Sequence, residues 1–218
     1  MAEAGTIELH TYDTPNGRKI AVGLEEMGLP YQVHVVDITR KQQFEPSFLA
    51  ISPNNRIPAI IDPVGPDGTS ISVFESGAIL IYLAEKSGRF LGASARERVA
   101  VLEWLMWQVG GLGPMPGQVH QFLLQPEGPV REFGLARYGN ETKRLYGVLD
   151  TRLAGRAFVA TQDGPSIADF AILGWVWRHE RHLNGIGTSL DAYPHVRGWF
   201  QAMMARPATA RGMQVPLK

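Results

Sequence analysis

Along the first third of the chain, apolar positions recur every second residue in some segments and every third or fourth residue in others. The first repeat predicts strands and the second predicts helices, because side chains alternate across a strand but share a helix face at a spacing of three to four. In chain order we predict a strand at 7–12, a helix at 16–27, a strand at 31–36, a short helix at 44–49, strands at 59–62 and 71–74, and a helix from 75 to about 87.

This β-α-β-α-β-β-α order predicts a mixed sheet. A helix between the first two strands acts as a crossover, so these strands should pair in parallel. The turn Pro66-Asp67-Gly68 should join the last two strands into an antiparallel hairpin.

Beyond Ser87 the pattern changes from mixed to helical. Residues 88–94 are typical of a linker, and helical spacing continues to the end of the chain. We therefore predict an α/β domain at 1–87, a linker at 88–94 and an all-helical domain at 95–218, with helices at 95–121, 129–153, 166–183 and 193–205.

Two local patterns refine the helical domain. Ser166 and Asp169 have the spacing of a capping box, which marks a helix start. The glycine-rich stretch Gly110–Pro114 interrupts the first long helix. Because it does not follow a strand and no Lys-Ser/Thr comes after it, we predict a helix kink or break there and no nucleotide site.

The composition narrows the function classes. Lys and Arg total 21, as do Asp and Glu, and no basic stripe suggests binding to nucleic acid or to a membrane surface. We find neither a signal-peptide pattern at Met1–Gly5 nor an apolar stretch of roughly 18 residues that could span a membrane, and we expect a cytoplasmic protein. The chain contains no cysteine, so thiol chemistry would need a thiol that arrives with a ligand.

The first candidate site is Thr14–Gly17, between the first strand and the first helix. A helix start presents unpaired N–H groups and a positive dipole end, which favour an anion such as a thiolate. Thr14 offers a hydroxyl donor and Asn16 an amide donor. The alternative is that either residue only caps the helix.

The second candidate is Asn55–Pro58, directly before a predicted strand. A cis peptide bond at Pro58 could turn the N–H and carbonyl of Ile57 outward, where they would pair with an extended peptide ligand. The alternative is a trans turn with a solvated Arg56.

The third candidate is Glu75-Ser76, at the start of the third helix. Ser76 could hold a carboxylate and Glu75 an ammonium group. The alternative is a capping pair. Taken together, the three sites offer donors for a thiolate, an edge for a peptide and a clamp for an amino acid, which are the parts of glutathione, γ-Glu-Cys-Gly.

The residues and their order resemble the cytosolic glutathione transferases over nearly the whole chain. The resemblance implies a thioredoxin-like N-terminal α/β domain and an all-α C-terminal domain. Four segments are similar to the bacterial nu-class enzymes, which are glutathione transferase homologues with disulfide-bond reductase activity: Thr14–Gly17, Ile51–Ile60, Phe74–Ile79 and Trp107–Met115.

The nu-class resemblance implies a role for each matching residue. Thr14 and Asn16 would lie at the glutathione sulfur, whereas Tyr12, near the place of a catalytic Tyr in other transferases, would serve packing. The residues implied to bind the rest of glutathione are Gln43 at the glycine end, Ile57 with cis-Pro58 and the adjacent Arg56 at the cysteinyl part, Glu75 and Ser76 at the γ-glutamyl end, and Arg137 at a bound glutathione or its disulfide. The resemblance also implies a homodimer.

The function that we predict is a glutathione-dependent disulfide-bond oxidoreductase. One bound glutathione thiolate would attack a small-molecule disulfide, and a second glutathione would complete the exchange and leave glutathione disulfide. The same activated thiolate could also reduce organic hydroperoxides. The alternatives are a glutathione transferase that conjugates small electrophiles and a non-catalytic glutathione-transferase-like interaction module. His179 and His182 are three apart on a predicted helix, but no third ligand is placed beside them, so we expect no metal site.

Overall fold

A computed structural model of the chain describes residues 5–216. Every predicted boundary in the first third lies within two residues of the observed one. The observed elements are β1 (Ile7–Thr11), α1 (Pro15–Met27), β2 (Tyr31–Val35), α2 (Pro46–Leu49), β3 (Ala59–Asp62), β4 (Ile71–Phe74) and α3 (Ser76–Ser87), with 3-10 turns at Ile38–Arg40 and Gln42–Phe44.

The four strands form one mixed sheet in the order β2-β1-β3-β4. β1 and β2 are parallel, with Ile7 opposite Tyr31. β3 is antiparallel to both β1 and β4, and Ile60 lies opposite Leu9 and Val73. The predicted crossover and hairpin are therefore both confirmed.

The core of this first unit lies against one face of the sheet. Ile7 and Leu9 of β1 are fully buried, whereas Glu8 and His10, which alternate with them along the strand, are partly exposed. The two long helices α1 and α3 contribute further fully buried side chains: Ile20, Leu24, Ile79, Leu80 and Leu83. Burial of each such side chain contributes roughly 1.5–3 kcal/mol to folding, which holds α1 and α3 in the core of this unit.

The second unit is helical, as predicted. Its helices are α4 (Ala95–Trp107), α5 (Pro114–Leu123), α6 (Pro129–Leu153), α7 (Ile167–Val176), α8 (His179–Asn184) and α9 (Pro194–Met204), with a 3-10 turn at Leu190–Ala192. The predicted helix at 166–183 is split at Trp177-Arg178 into α7 and α8. No helix among residues 5–216 has the length and apolar character needed to cross a membrane.

The break that we predicted after α4 takes the form of a π-helical segment, Gln108–Leu112. Pro114 then begins α5 at a position where its missing N–H costs nothing. Gly113 permits a close approach at this junction, because a Cβ there would lie 2.8 Å from Gln108 Nε2 and 3.0 Å from Trp175 Nε1.

The predicted capping box at the start of α7 is present. The Ser166 N–H donates to Asp169 Oδ2 at 2.9 Å, and the indole N–H of Trp199 donates to Asp169 Oδ1 at 3.0 Å. Asp169 is fully buried, so these bonds replace the water that its carboxyl group loses on folding.

The division of the chain differs from the predicted one at the C-terminus. The cut between Leu91 and Gly92 falls inside the predicted linker at 88–94, but residues 205–216 belong to the first unit. There α10 (Pro207–Gly212) packs on α1, and Thr209 Oγ1 donates to Glu26 Oε1 at 2.7 Å. Arg206 adds an ion pair to Glu26 at 2.7 Å.

Candidate active site

The start of α1 lies directly after β1 and carries Thr14 as its N-cap. The Gly17 N–H donates to Thr14 Oγ1 at 3.1 Å, so the Thr14 side chain caps α1. The same hydroxyl keeps its own proton, because a hydroxyl accepts through lone pairs and donates through O–H. Capping and donation to an anion are therefore compatible at Thr14.

Gly17 allows the helix start to lie close to the strand. An added Cβ would overlap Thr11 Oγ1 and the carbonyl oxygen of Tyr12. The half-buried Asn16 lies in the first turn of α1, beside the backbone N–H groups that a helix start leaves without intrahelical partners.

Tyr12 has a structural contact near this helix start. The pKa of Asp37 is lowered by hydrogen bonds, first from the Thr39 side chain and more weakly from Tyr12. The Tyr12 side chain thus helps to hold the 3-10 turn that follows β2.

The turn before β3 has the backbone shape that we considered at Pro58. The Ile57–Pro58 peptide bond is cis. Ser52 Oγ donates to the Arg56 carbonyl at 2.8 Å and closes the turn. Among the described residues, neither the N–H nor the carbonyl of Ile57 makes a hydrogen bond within the chain. Buried or bound backbone groups require partners, so this pair is suited to an extended ligand.

Glu75 and Ser76 lie where β4 passes into α3. Glu75 is the N-cap residue and has a φ of 69°, a conformation that costs a non-glycine residue roughly 1–3 kcal/mol. Asn54 Nδ2 donates to Glu75 Oε1 at 3.3 Å, which links the turn before β3 to the start of α3. Ser76 is buried with 8% of its surface exposed.

Lys19 is the residue of this site that sequence reasoning missed. Its side chain is 2% exposed, and its Nζ donates to Ser76 Oγ at 3.2 Å. Burial lowers the pKa of Lys19 to about 7, against the opposing charge of Glu75. The only signal in the sequence was a lysine directly before the apolar stretch Ile20–Leu24 of α1.

Three further residues were predicted to bind glutathione: Gln43, Arg56 and Arg137. Gln43 lies in the 3-10 turn before α2, and within residues 5–216 its buried Oε1 has no hydrogen-bond partner. Arg56 is exposed beside Ile57. Arg137 is exposed on α6 of the second unit.

The two histidines that we considered as metal ligands have other contacts in the second unit. His182 is buried and its Nε2 is hydrogen-bonded to the Tyr146 hydroxyl at 2.7 Å. The His179 ring packs edge-on against Phe200 with 5.4 Å between centroids.

Comparison with known proteins assigns the family. The family "Glutathione S-transferase, N-terminal domain" matches residues 14–86, and "Glutathione S-transferase, C-terminal domain" matches residues 137–207. The disulfide-bond oxidoreductase YfcG of Escherichia coli (strain K12) is 46% identical over 210 residues, which are 95% of this chain and 94% of that protein. The chain belongs to the glutathione S-transferase family.

Solved structures of glutathione transferases share the fold over almost the whole length. One from Pseudomonas fluorescens pf-5, with two glutathione bound, has a TM-score of 0.92, 42% sequence identity and coverage of 99% of this chain and 96% of that one. One from Pseudomonas putida, with one glutathione disulfide bound per subunit, has a TM-score of 0.92, 42% identity and coverage of 99% and 94%. The predicted glutathione transferase fold is confirmed.

Proposed function

We propose that this glutathione transferase is a glutathione-dependent disulfide-bond oxidoreductase of the nu-class type. The observation that carries the proposal is a donor-bearing helix start in a chain without cysteine. Because the protein supplies no thiol, the reacting sulfur must arrive on a ligand, and Thr14 caps the helix end that best stabilises a thiolate.

The relatives support this chemistry. The E. coli relative is named a disulfide-bond oxidoreductase. One structural neighbour holds two glutathione molecules and another holds one glutathione disulfide. Two thiols and their disulfide are the reduced and oxidised forms that a glutathione-linked disulfide exchange interconverts.

The exchange consists of two balanced displacements. The thiolate of the first glutathione attacks one sulfur of the substrate disulfide; a mixed disulfide forms, and the other substrate sulfur leaves as a thiolate that takes up a proton. The thiolate of the second glutathione then attacks the glutathione sulfur of the mixed disulfide. Glutathione disulfide forms and the second substrate thiol leaves, so two glutathiones are oxidised while one disulfide is reduced.

Thr14 and Asn16 stabilise the negative charge on sulfur in both displacements. The Thr14 hydroxyl and the Asn16 amide donate to the glutathione thiolate, and the start of α1 adds its positive dipole end. The same donors stabilise the sulfur that carries the leaving charge in the second displacement, since that charge develops near the same helix end.

The other residues bind the tripeptide. Ile57 pairs through its N–H and carbonyl with the cysteinyl main chain, while cis-Pro58 shapes the turn and Arg56 flanks it. Glu75 binds the γ-glutamyl ammonium group and Ser76 its carboxylate, at the start of α3. Gln43 contacts the glycine end, and Arg137 contacts a bound glutathione or its disulfide.

We propose a homodimer in the cytoplasm as the working form, as the family resemblance implies. Light scattering coupled to size-exclusion chromatography tests the dimer, because a dimer has twice the 24.0 kDa mass of the chain.

The decisive experiment measures reduction of 2-hydroxyethyl disulfide by glutathione, with NADPH and glutathione reductase as the coupled readout. We expect turnover, and we expect Asn16→Ala to reduce it at least tenfold with little loss of stability, because one charge-stabilising donor is removed. Parallel assays with a chloronitroarene and an organic hydroperoxide measure conjugation and peroxidase activity on the same preparation.

Calorimetry with glutathione separates the rival functions. Saturable binding without disulfide reduction would refute the reductase and favour conjugation. Neither binding nor turnover would favour the non-catalytic interaction module. Large destabilisation of Asn16→Ala with normal specific activity would show that Asn16 serves only the helix start.

A further inference from the structure

Three side chains with metal-binding groups meet on the face of the sheet opposite the buried side chains of β1. Glu8 and His10 are two residues apart on β1, so they share a face. The parallel register places His34 of β2 directly beside His10. The two imidazole rings are stacked, with 4.7 Å between centroids and 15° between planes.

The nitrogen atoms of both rings converge on one carboxylate oxygen. His10 Nε2 lies 3.2 Å from Glu8 Oε2, and His34 Nε2 lies 3.7 Å from the same oxygen. The three residues each offer one donor atom within 4.8 Å of the others.

Hydrogen bonding alone leaves this cluster incomplete. The separation of 3.7 Å is too long for a hydrogen bond from His34 to Glu8. Within residues 5–216, the buried His34 Nε2 has no hydrogen-bond partner.

We propose that Glu8, His10 and His34 form a binding site for one divalent transition-metal ion, with zinc as the best match. Two neutral imidazoles and one carboxylate are a ligand set that zinc uses with an open fourth position. Tetrahedral ligands roughly 2.1 Å from zinc lie about 3.4 Å from one another. The observed 3.2 and 3.7 Å separations of the nitrogen atoms from Oε2 bracket that value.

Binding of the ion requires a small movement of one side chain, that of His34. An imidazole lone pair lies in the plane of its ring, so two nearly parallel rings do not point at one ion. The His34 side chain is 38% exposed and lies on the edge strand β2, so its ring is free to tilt toward the ion. The His10 side chain, 17% exposed, stays in place.

The ligand type gives selectivity. Imidazole nitrogen binds zinc, copper and nickel in preference to magnesium and calcium, which prefer oxygen ligands. None of the three residues belongs to the proposed glutathione-binding set, so zinc binding and glutathione binding are separable.

The test is calorimetric titration of the full chain with zinc chloride. Glutathione is left out because its thiol binds zinc. We expect one saturable zinc ion per chain, millimolar magnesium that does not displace it, and affinity at least about tenfold lower in Glu8→Gln and His34→Gln, since even outer partners of metal ligands cost tenfold or more. His195→Gln, at an exposed position on α9, is the matched control and should bind as the parent does.

NMR of the ring nitrogens identifies the ligands in the unaltered protein, whether or not a variant folds. Zinc should shift the Nε2 resonances of His10 and His34. Absence of saturable binding, unchanged affinity in both variants, displacement by magnesium, or shifts confined to His179 and His182 would each overturn the proposal.

Discussion

Lys19 Nζ donates to Ser76 Oγ at 3.2 Å, in a contact that joins two buried side chains across 57 positions of sequence. The bond ties α1, whose first turn carries the proposed thiolate donors, to the start of α3, where the γ-glutamyl carboxylate is proposed to bind. A cation next to a serine at a helix start strengthens the attraction for a carboxylate. The reason is that the N-terminal end of the helix dipole and the ammonium group are both positive.

We expect Lys19→Met to weaken glutathione binding roughly tenfold, about 1.4 kcal/mol, through loss of the buried charge and of the bond that orients Ser76. The free energy of unfolding of the ligand-free protein should not fall, because methionine fills a similar volume without the cost of burying an ammonium group. Calorimetry and urea denaturation measure the two effects. Lys143→Met on α6 is the control, and equal affinities of Lys19→Met and Lys143→Met would contradict the role of Lys19.

The same lysine should make stability depend on pH. Burial lowers its pKa from 10.5 to about 7, so the unfolded chain binds more protons than the folded one between these pH values. The contribution of Lys19 to the free energy of unfolding therefore rises with pH from about 7 to about 10.5, by up to roughly 1.4 kcal/mol per pH unit. Urea denaturation at pH 6 to 9 should show this slope as the difference between wild type and Lys19→Met. A constant difference would show that Lys19 titrates normally.

Substitutions at Thr14 should separate capping from chemistry. Thr14→Val removes both functions, so we expect a loss of about 1 kcal/mol in stability together with a loss of disulfide reduction. Thr14→Asp retains an oxygen that accepts the Gly17 N–H, but its negative charge repels a thiolate. It should keep the stability and lose the activity, whereas Thr14→Ser should keep both. Wild-type turnover in Thr14→Asp would show that Thr14 only caps the helix and does not donate to the thiolate.

Two glycines give a matched test of the packing at the start of α1. Gly17→Ala should destabilise the protein by roughly 1–3 kcal/mol, because its Cβ would overlap Thr11 and the Tyr12 carbonyl. It should also lower turnover, since the helix start must shift. Gly147→Ala on α6 meets no atom within 4 Å and should be neutral or stabilising by up to about 1 kcal/mol. Thermal and urea denaturation compare the pair, and equal stabilities would argue against tight packing at Gly17.

Local patterns predicted the sheet and most helix boundaries because strands, turns and caps are encoded within a few neighbouring residues. The spacing of Ser166 and Asp169 was enough to predict the capping box. The π-helical form of Gln108–Leu112 was not predictable in the same way, since glycines show that a helix is interrupted but not how its hydrogen bonds rearrange.

The sequence by itself determined the order of the elements, the pairing of the strands and the need for a sulfur brought by a ligand, because periodicity and the absence of cysteine are properties of the chain alone. Only the tertiary structure decided that Lys19 is buried against Ser76, that α10 packs on α1, and that His34 lies beside His10. Those contacts join residues far apart in the chain, and packing and register select the partner from many residues of similar type.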